Sequence, residues 1–246
     1  MKKIYRKGAV IVCLALSSVP FTIGQANGSG IGKYLYFIPS DQIRSWPAIT
    51  DNLSEARNET EYNGYTGDFG LQKNAHWIKI YNTQGEGKLD AEATGERDCK
   101  MYVNKLHFRF PKLTGPAATL SNAVVNGEGV FVAWHDGAYR VIGHPFYRTD
   151  VTPNVGSGDS AGSSKGVVFE AECPDYKALP IYKGLLVLDD GTTLDCSTGT
   201  IRATETLDRG FDYSEEEGGE GGEGGEGGEG GEGGEGGEGG GEGGGE

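Results

Sequence analysis

Ser160 is the residue of this chain whose neighbours most resemble those of a nucleophile. It stands in Gly158-Asp159-Ser160-Ala161-Gly162, which matches the pattern G-x-S-x-G. A serine attacks a carbonyl when a base takes its proton and backbone donors receive the oxyanion. His76 and Asp98 lie upstream and supply a His…Asp…Ser order. The motif also needs a strained turn from a strand into a helix. Here polar residues precede Ser160, and Ser163-Ser164-Lys165-Gly166 lead into a strand-like run. That context for an exposed Oγ is missing.

The same pentapeptide resembles the GDSGG of chymotrypsin-like serine proteases, which are β-rich. The resemblance implies a peptidase with Ser160 as nucleophile, His76 as base and Asp98 as its orienting carboxylate. Two departures make it the minor alternative. Asn74-Ala75-His76-Trp77 lacks the small-residue and cysteine surroundings of that family's histidine. Ala161 replaces a glycine where the backbone approaches the oxyanion.

Other chemistry has weaker support. His76, His107, His135 and His144 show no metal-ligand spacing. Asp189, Asp190 and Asp195 surround a turn without the pattern of a calcium loop. Glu170 and Glu172 alternate with Phe169 and Ala171, which makes them the wet face of a strand. No glycine-rich loop leads into a helix to cradle phosphate. The expectation is no enzyme, no metal and no cofactor.

The elements that must position these residues are strands. Tyr34–Ile38 is a short apolar run between Gly32 and Pro39. His76–Tyr81 alternates, as do Leu106, Phe108 and Phe110 with His107 and Arg109, and Val167–Cys173. Val130–Trp134 and Tyr139–Ile142 flank Asp136-Gly137, a dipeptide suited to the positive φ of a two-residue hairpin turn. Leu185–Leu188 and Thr192–Cys196 flank Asp190-Gly191 in the same way. Helical evidence is thin: one turn at Ser40–Ile43 and a short surface helix at Ile49–Arg57. The expected fold is mostly β, a β-sandwich or open barrel with at most one or two short helices.

Composition bounds the rest. The net charge is −14, with 36 acidic and 22 basic residues. From Glu215 the chain is only Gly and Glu, with 12 Glu among 32 residues. The remainder is near neutral, at −2. That balance argues against a nucleic-acid surface, which needs clustered Lys and Arg. A Gly/Glu tail buries no apolar area and is expected to be disordered. The domain expectation is a basic lead over residues 1–11, one β-domain over 12–213 and the acidic tail over 214–246. No run reaches the ~20 apolar residues of a membrane span. Lys2, Lys3, Arg6 and Lys7 precede the apolar run Gly8–Leu16, and Gly24-Gln25-Ala26 could serve as a signal cleavage site. The alternative is that residues 12–23 open the fold. Cys13, Cys99, Cys173 and Cys196 contain no CxxC. A Cys173–Cys196 bridge suits an exported chain, and free thiols suit one that is not.

One long loop stands out, His144–Lys165, of 22 residues. It opens on Pro145, Phe146, Tyr147 and Arg148 and ends in a Gly/Ser stretch, a form suited to reaching a neighbouring subunit. Its contact candidates are Phe146, Tyr147, Arg148, Asp159, Ser160 and Lys165. The frame around it is Gly137–Gly143 (GAYRVIG), the Asp159–Gly162 loop and Gly166–Glu170 (GVVFE). That frame resembles tail-tube-like virion proteins of tailed phages. Cys13–Phe21, Gly30–Pro39, Gly95–Lys100 and Leu188–Cys196 resemble segments of the same kind of protein. The resemblance implies a non-enzymatic β-sandwich that stacks into rings or tubes, with itself and other virion proteins as partners. It implies a virion location, with assembly in the host cytoplasm. The alternative is a secreted or periplasmic β-sandwich binding or adhesion protein, cleaved near Ala26.

Overall fold

The computed structural model describes residues 28–158 and 165–204. The basic lead, Cys13, Ala26, Asp159, Ser160 and the Gly/Glu tail lie outside the described residues. The fold is mostly β. Its strands are β1 (Tyr34–Pro39), β2 (Ile43–Ser45), β3 (Gly64–Tyr65), β4 (Gly70–Leu71), β5 (Ile78–Tyr81), β6 (Lys88–Thr94), β7 (Met101–Phe110), β8 (Gly129–His135), β9 (Ala138–Ile142), β10 (Asp150–Gly156), β11 (Gly166–Asp175), β12 (Ile181–Tyr182), β13 (Leu185–Val187), β14 (Thr192–Asp195) and β15 (Thr200–Ala203). The helices are α1 (Glu59–Asn63) and α2 (Gly115–Val124), with a 3-10 turn at Ser40–Gln42.

A central six-stranded sheet runs β3-β12-β9-β8-β1-β5. An outer four-stranded sheet runs β10-β11-β7-β6, a small sheet runs β13-β14-β15, and β2 pairs with β4. Successive residues of a strand point to opposite faces, and the central sheet is buried on both. Leu35, Phe37, Phe131, Ala133 and Ile142 join Leu106, Phe108, Val167, Phe169 and Ala171 of the outer sheet in one core. Tyr36, Ile38, Val130, Val132 and Val141 join Phe69, Trp77, Tyr182, Leu186, Leu188 and Leu194 in a second. The continuous apolar runs of β1 and β8 follow from this double burial.

The outer sheet keeps one wet face. In β11, Val167, Phe169, Ala171 and Cys173 are buried while Glu170 and Glu172 are exposed. Lys105 of β7 lies between Glu92 (3.3 Å) and Glu172 (3.5 Å) on that face. Phe108 and Phe169 are cross-strand partners whose rings stack with centroids 4.8 Å apart.

The Asp136-Gly137 hairpin forms as the sequence indicates. His135 pairs with Ala138, and both turn residues have positive φ (47° and 78°). The Leu185–Cys196 hairpin also forms, with Val187 opposite Thr193 and Gly191 at φ 76°.

Two sequence expectations are corrected, one helix goes beyond the sequence reading, and one of the two alternatives for Cys173 and Cys196 is selected. The 22-residue loop His144–Lys165 is not continuous, because β10 occupies Asp150–Gly156 and pairs along its length with β11. Pro153 obscures this strand, yet β10 is an edge strand, where a missing N–H is tolerated. Residues 49–57 form turns rather than a helix. Helix formation starts after Asn58, whose side chain accepts from Glu61 N at 2.9 Å. α2 had no counterpart in the sequence reading. Its buried positions are Ala117, Ser121 and Val124, a stripe too small and polar to register as apolar. Finally, Cys173 and Cys196 belong to the two different cores and are free thiols, so no bridge joins them.

Candidate functional site: an aromatic surface patch

Between β9 and β10 the chain crosses the end of the sandwich on seven residues, 143–149. Gly143 starts the crossing at φ 151°, and a Cβ there would lie 2.9 Å from Val130 Cγ2. Buried Thr149 ends it. Between these anchors His144 Nδ1 accepts from Phe146 N at 3.1 Å, which folds the segment into a tight turn. Tyr147 packs against the first core, and its carbonyl faces Cys173 Sγ at 3.9 Å.

Four rings meet on this turn. The His144 ring lies 4.7 Å from Tyr147, 5.7 Å from Phe146 and 5.6 Å from Tyr176 between centroids. Tyr176 comes from the end of β11, and its hydroxyl is 2.5 Å from that of Tyr147. This bond raises the Tyr147 phenol above its ordinary range. Burial lowers the His144 imidazole below its ordinary value, favouring the neutral ring that accepts at Nδ1. Phe146 is 85% exposed and Tyr176 51% exposed.

A buried polar network fixes Tyr176 from below. Asn104 donates to Lys177 O (3.0 Å) and toward Asp175 Oδ2 (3.4 Å), while Asp175 Oδ1 accepts from Lys177 N at 2.8 Å. Leu179 N donates to Asn104 Oδ1 at 3.0 Å. Lys177 Nζ donates to Asp51 O at 3.4 Å and sits 3.3 Å from the Tyr62 ring centroid. Burial pushes the Asp175 carboxyl up to about 6 and lowers the Lys177 ammonium. The patch is therefore an exposed aromatic surface on a satisfied polar base. It offers the apolar faces of inclined rings with hydroxyl and imidazole groups among them.

The structure divides the sequence-derived candidates. Phe146 and Tyr147 come together in the patch. Arg148 turns away to Glu128 (3.3 Å) and Asn126 O (3.0 Å). Lys165 lies at the loop end of the β10–β11 hairpin, just before β11, where its carbonyl accepts from Arg109 Nη2 at 3.3 Å. Asp159 and Ser160 lie outside the described residues. His144 and Tyr176 are members that sequence reasoning missed. Tyr176 is 29 positions from Tyr147 and carries no local motif.

The protease triad receives no support from its two described members. His76 is exposed just before β5, and Asp98 is exposed in the β6–β7 turn at φ 69°. Neither makes a side-chain hydrogen bond or ion pair among the described residues. The ring nitrogens of the other histidines meet backbone: His107 Nδ1 faces Glu86 O at 3.0 Å and His135 Nδ1 faces Gly30 O at 2.6 Å. Among the described residues no group of three His, Cys, Asp or Glu side chains could hold a metal ion. No helix among them is long and apolar enough to cross a membrane. No family model, curated protein or solved structure matches this chain.

Proposed function

We propose that this chain is a non-enzymatic structural subunit that associates with further copies of itself. Its closest functional type is the tail-tube-like virion protein that the sequence resembles. The observation that carries the reading is Phe146, 85% exposed on a turn held by the first core and the Asn104–Asp175–Lys177 network. A large exposed aromatic side chain offers apolar area to bury on association and is typical of interface anchors. The β10 edge, which follows the turn directly, and the opposite β6 edge of the outer sheet offer further pairing sites.

Negative-stain microscopy and sedimentation of the purified chain test the proposal. Rings, tubes or discrete oligomers are expected, and Phe146→Ala should weaken association at least tenfold while leaving the far-ultraviolet dichroism unchanged. A chain that stays monomeric at high concentration overturns it. The basic lead and apolar run ahead of Ala26 favour a second reading, an exported binding module in which the same patch meets a ligand. N-terminal sequencing of native material separates the two. A chain starting after Ala26 supports export.

A further inference from the structure

We propose that protonation of His144 opens the 143–149 turn and releases Phe146, so that the self-association surface forms at neutral pH and is lost in acid. This regulation rests on the self-association reading and acts on the same surface. Among the described residues Phe146 has one hydrogen bond and one ring contact, and His144 makes both. Phe146 N donates to His144 Nδ1 at 3.1 Å, and the two rings lie 5.7 Å apart between centroids. The rest of the crossing is held by other groups. Gly143 and Thr149 are buried. Tyr147 packs on the first core and bonds Tyr176, while Arg148 bonds Glu128 and Asn126 O. Pro145 has no N–H to donate. The position of Phe146 therefore depends on one imidazole.

The bond from Phe146 N fixes the protonation state of that ring. A ring nitrogen that accepts carries a lone pair, so the neutral imidazole holds its proton at Nε2. The imidazolium has an N–H at both nitrogens. Its Nδ1–H would face the Phe146 N–H, donor against donor. Ring contacts survive the added proton, whereas the backbone bond does not. Losing that bond between residues i and i+2 undoes the turn that presents Phe146.

The groups around the imidazole set where the switch lies. Tyr147 faces it from the same turn at 4.7 Å, and Tyr176 from the end of β11 at 5.6 Å. Asp51, in the 49–57 segment, is the charged group that bears on it, and its carboxylate favours the proton. Lys177 Nζ donates to Asp51 O at 3.4 Å. Partial burial outweighs Asp51 and keeps the imidazole below its ordinary value. His144 is therefore neutral at pH ~7, and the surface is lost as pH falls below ~6.5. Asp175, next to Tyr176 in the chain, is pushed up to about 6 by burial and titrates in the same range. Asparagine at position 144 separates the two groups. Its side-chain oxygen accepts from the N–H two residues on, as in an Asx turn, whatever the pH.

Sedimentation equilibrium of the full chain at pH 7.5 and pH 5.0 reads the surface. In the wild type and in Asp175→Asn the association constant should fall about tenfold in acid. In His144→Asn it should change by less than about twofold. His144→Phe, which has no acceptor, should associate as weakly at pH 7.5 as the wild type does at pH 5.0. Amide hydrogen exchange of the dilute monomer reads the turn itself. The protection factor of Phe146 N–H, corrected for the intrinsic rate at each pH, should fall roughly threefold or more in the wild type. In His144→Asn it should hold. An unchanged protection factor in the wild type overturns the proposal, as does an equal fall in His144→Asn. A pH effect on association that Asp175→Asn removes gives the switch to Asp175 and also overturns it. A chain that stays monomeric at both pH values overturns the self-association reading, and the exchange result then decides the His144 switch alone.

Discussion

β8 of the central sheet and β11 of the outer sheet are both apolar-rich, yet they carry their apolar residues differently. In β8, Val130, Phe131, Val132 and Ala133 are consecutive and all buried. In β11, buried Val167, Phe169, Ala171 and Cys173 alternate with residues facing outward. A sheet covered on both faces has no position where water can accept a polar side chain, whereas a sheet at the surface has one at every second residue. The difference teaches that the small β13-β14-β15 sheet is structural. It covers the second face of β1, β8 and β9.

Consecutive substitutions test that comparison most directly. Phe131→Ala should cost about 3–5 kcal/mol, and its neighbour Val132→Thr about 1–3 kcal/mol through a buried hydroxyl. In β11, Phe169→Ala should again cost about 3–5 kcal/mol, while Glu170→Ala should stay within about 0.5 kcal/mol. Urea denaturation midpoints at constant m-value measure all four. A tolerated Val132→Thr would mean that the second face of the central sheet is not dry.

The base of the aromatic patch gives the next largest effect, in pH dependence. Burial pushes Asp175 up to about 6, above the ~3.9 of an unfolded aspartate. Its stabilising contribution is complete below pH ~4 and is lost as pH rises through about 6, a change on the order of 3 kcal/mol. Burial moves His144 the other way, below its ordinary value. Its contribution is present above ~6.5 and is lost as pH falls. Asp175→Asn should therefore leave stability rising with pH between 4 and 7, and His144→Gln should leave it falling. Urea midpoints at half-unit pH steps measure both slopes. Unchanged slopes in both variants would remove these two groups as the source.

The thiols report on the same layers more gently. Burial pushes Cys173 up to about 11 and raises Cys196 as well, whereas Cys99 is exposed. Maleimide should modify Cys99 roughly a hundredfold faster than either core cysteine at neutral pH. Equal labelling of Cys196 would show that the small sheet opens readily. The smallest stability effect belongs to Phe146→Ala, within about 0.5 kcal/mol of wild type by the same denaturation assay. Its consequence is expected in association alone.

Much of the strand content was legible. Leu106–Phe110 and Val167–Cys173 show period two because one face is wet, and Asp136-Gly137 marks its hairpin by backbone chemistry. β10 was hidden by Pro153, since only its place at an edge makes proline acceptable there. α2 was hidden because Ala117 and Ser121 face the core with small side chains. Of the patch, Phe146 and Tyr147 stood out through their run of aromatic residues. Tyr176 did not, because its role depends on β11 ending beside the 143–149 crossing.

The sequence by itself determined the β class, the two marked hairpins and the wet face of β11, all of which rest on local periodicity and turn stereochemistry. Only the tertiary structure decided that Cys173 and Cys196 lie on opposite faces of one sheet. It also decided that Arg148 leaves the aromatic turn for Glu128, and that Tyr176 joins it. These are contacts between segments far apart in the chain. They are set by how the layers stack over two cores, which no local spacing encodes.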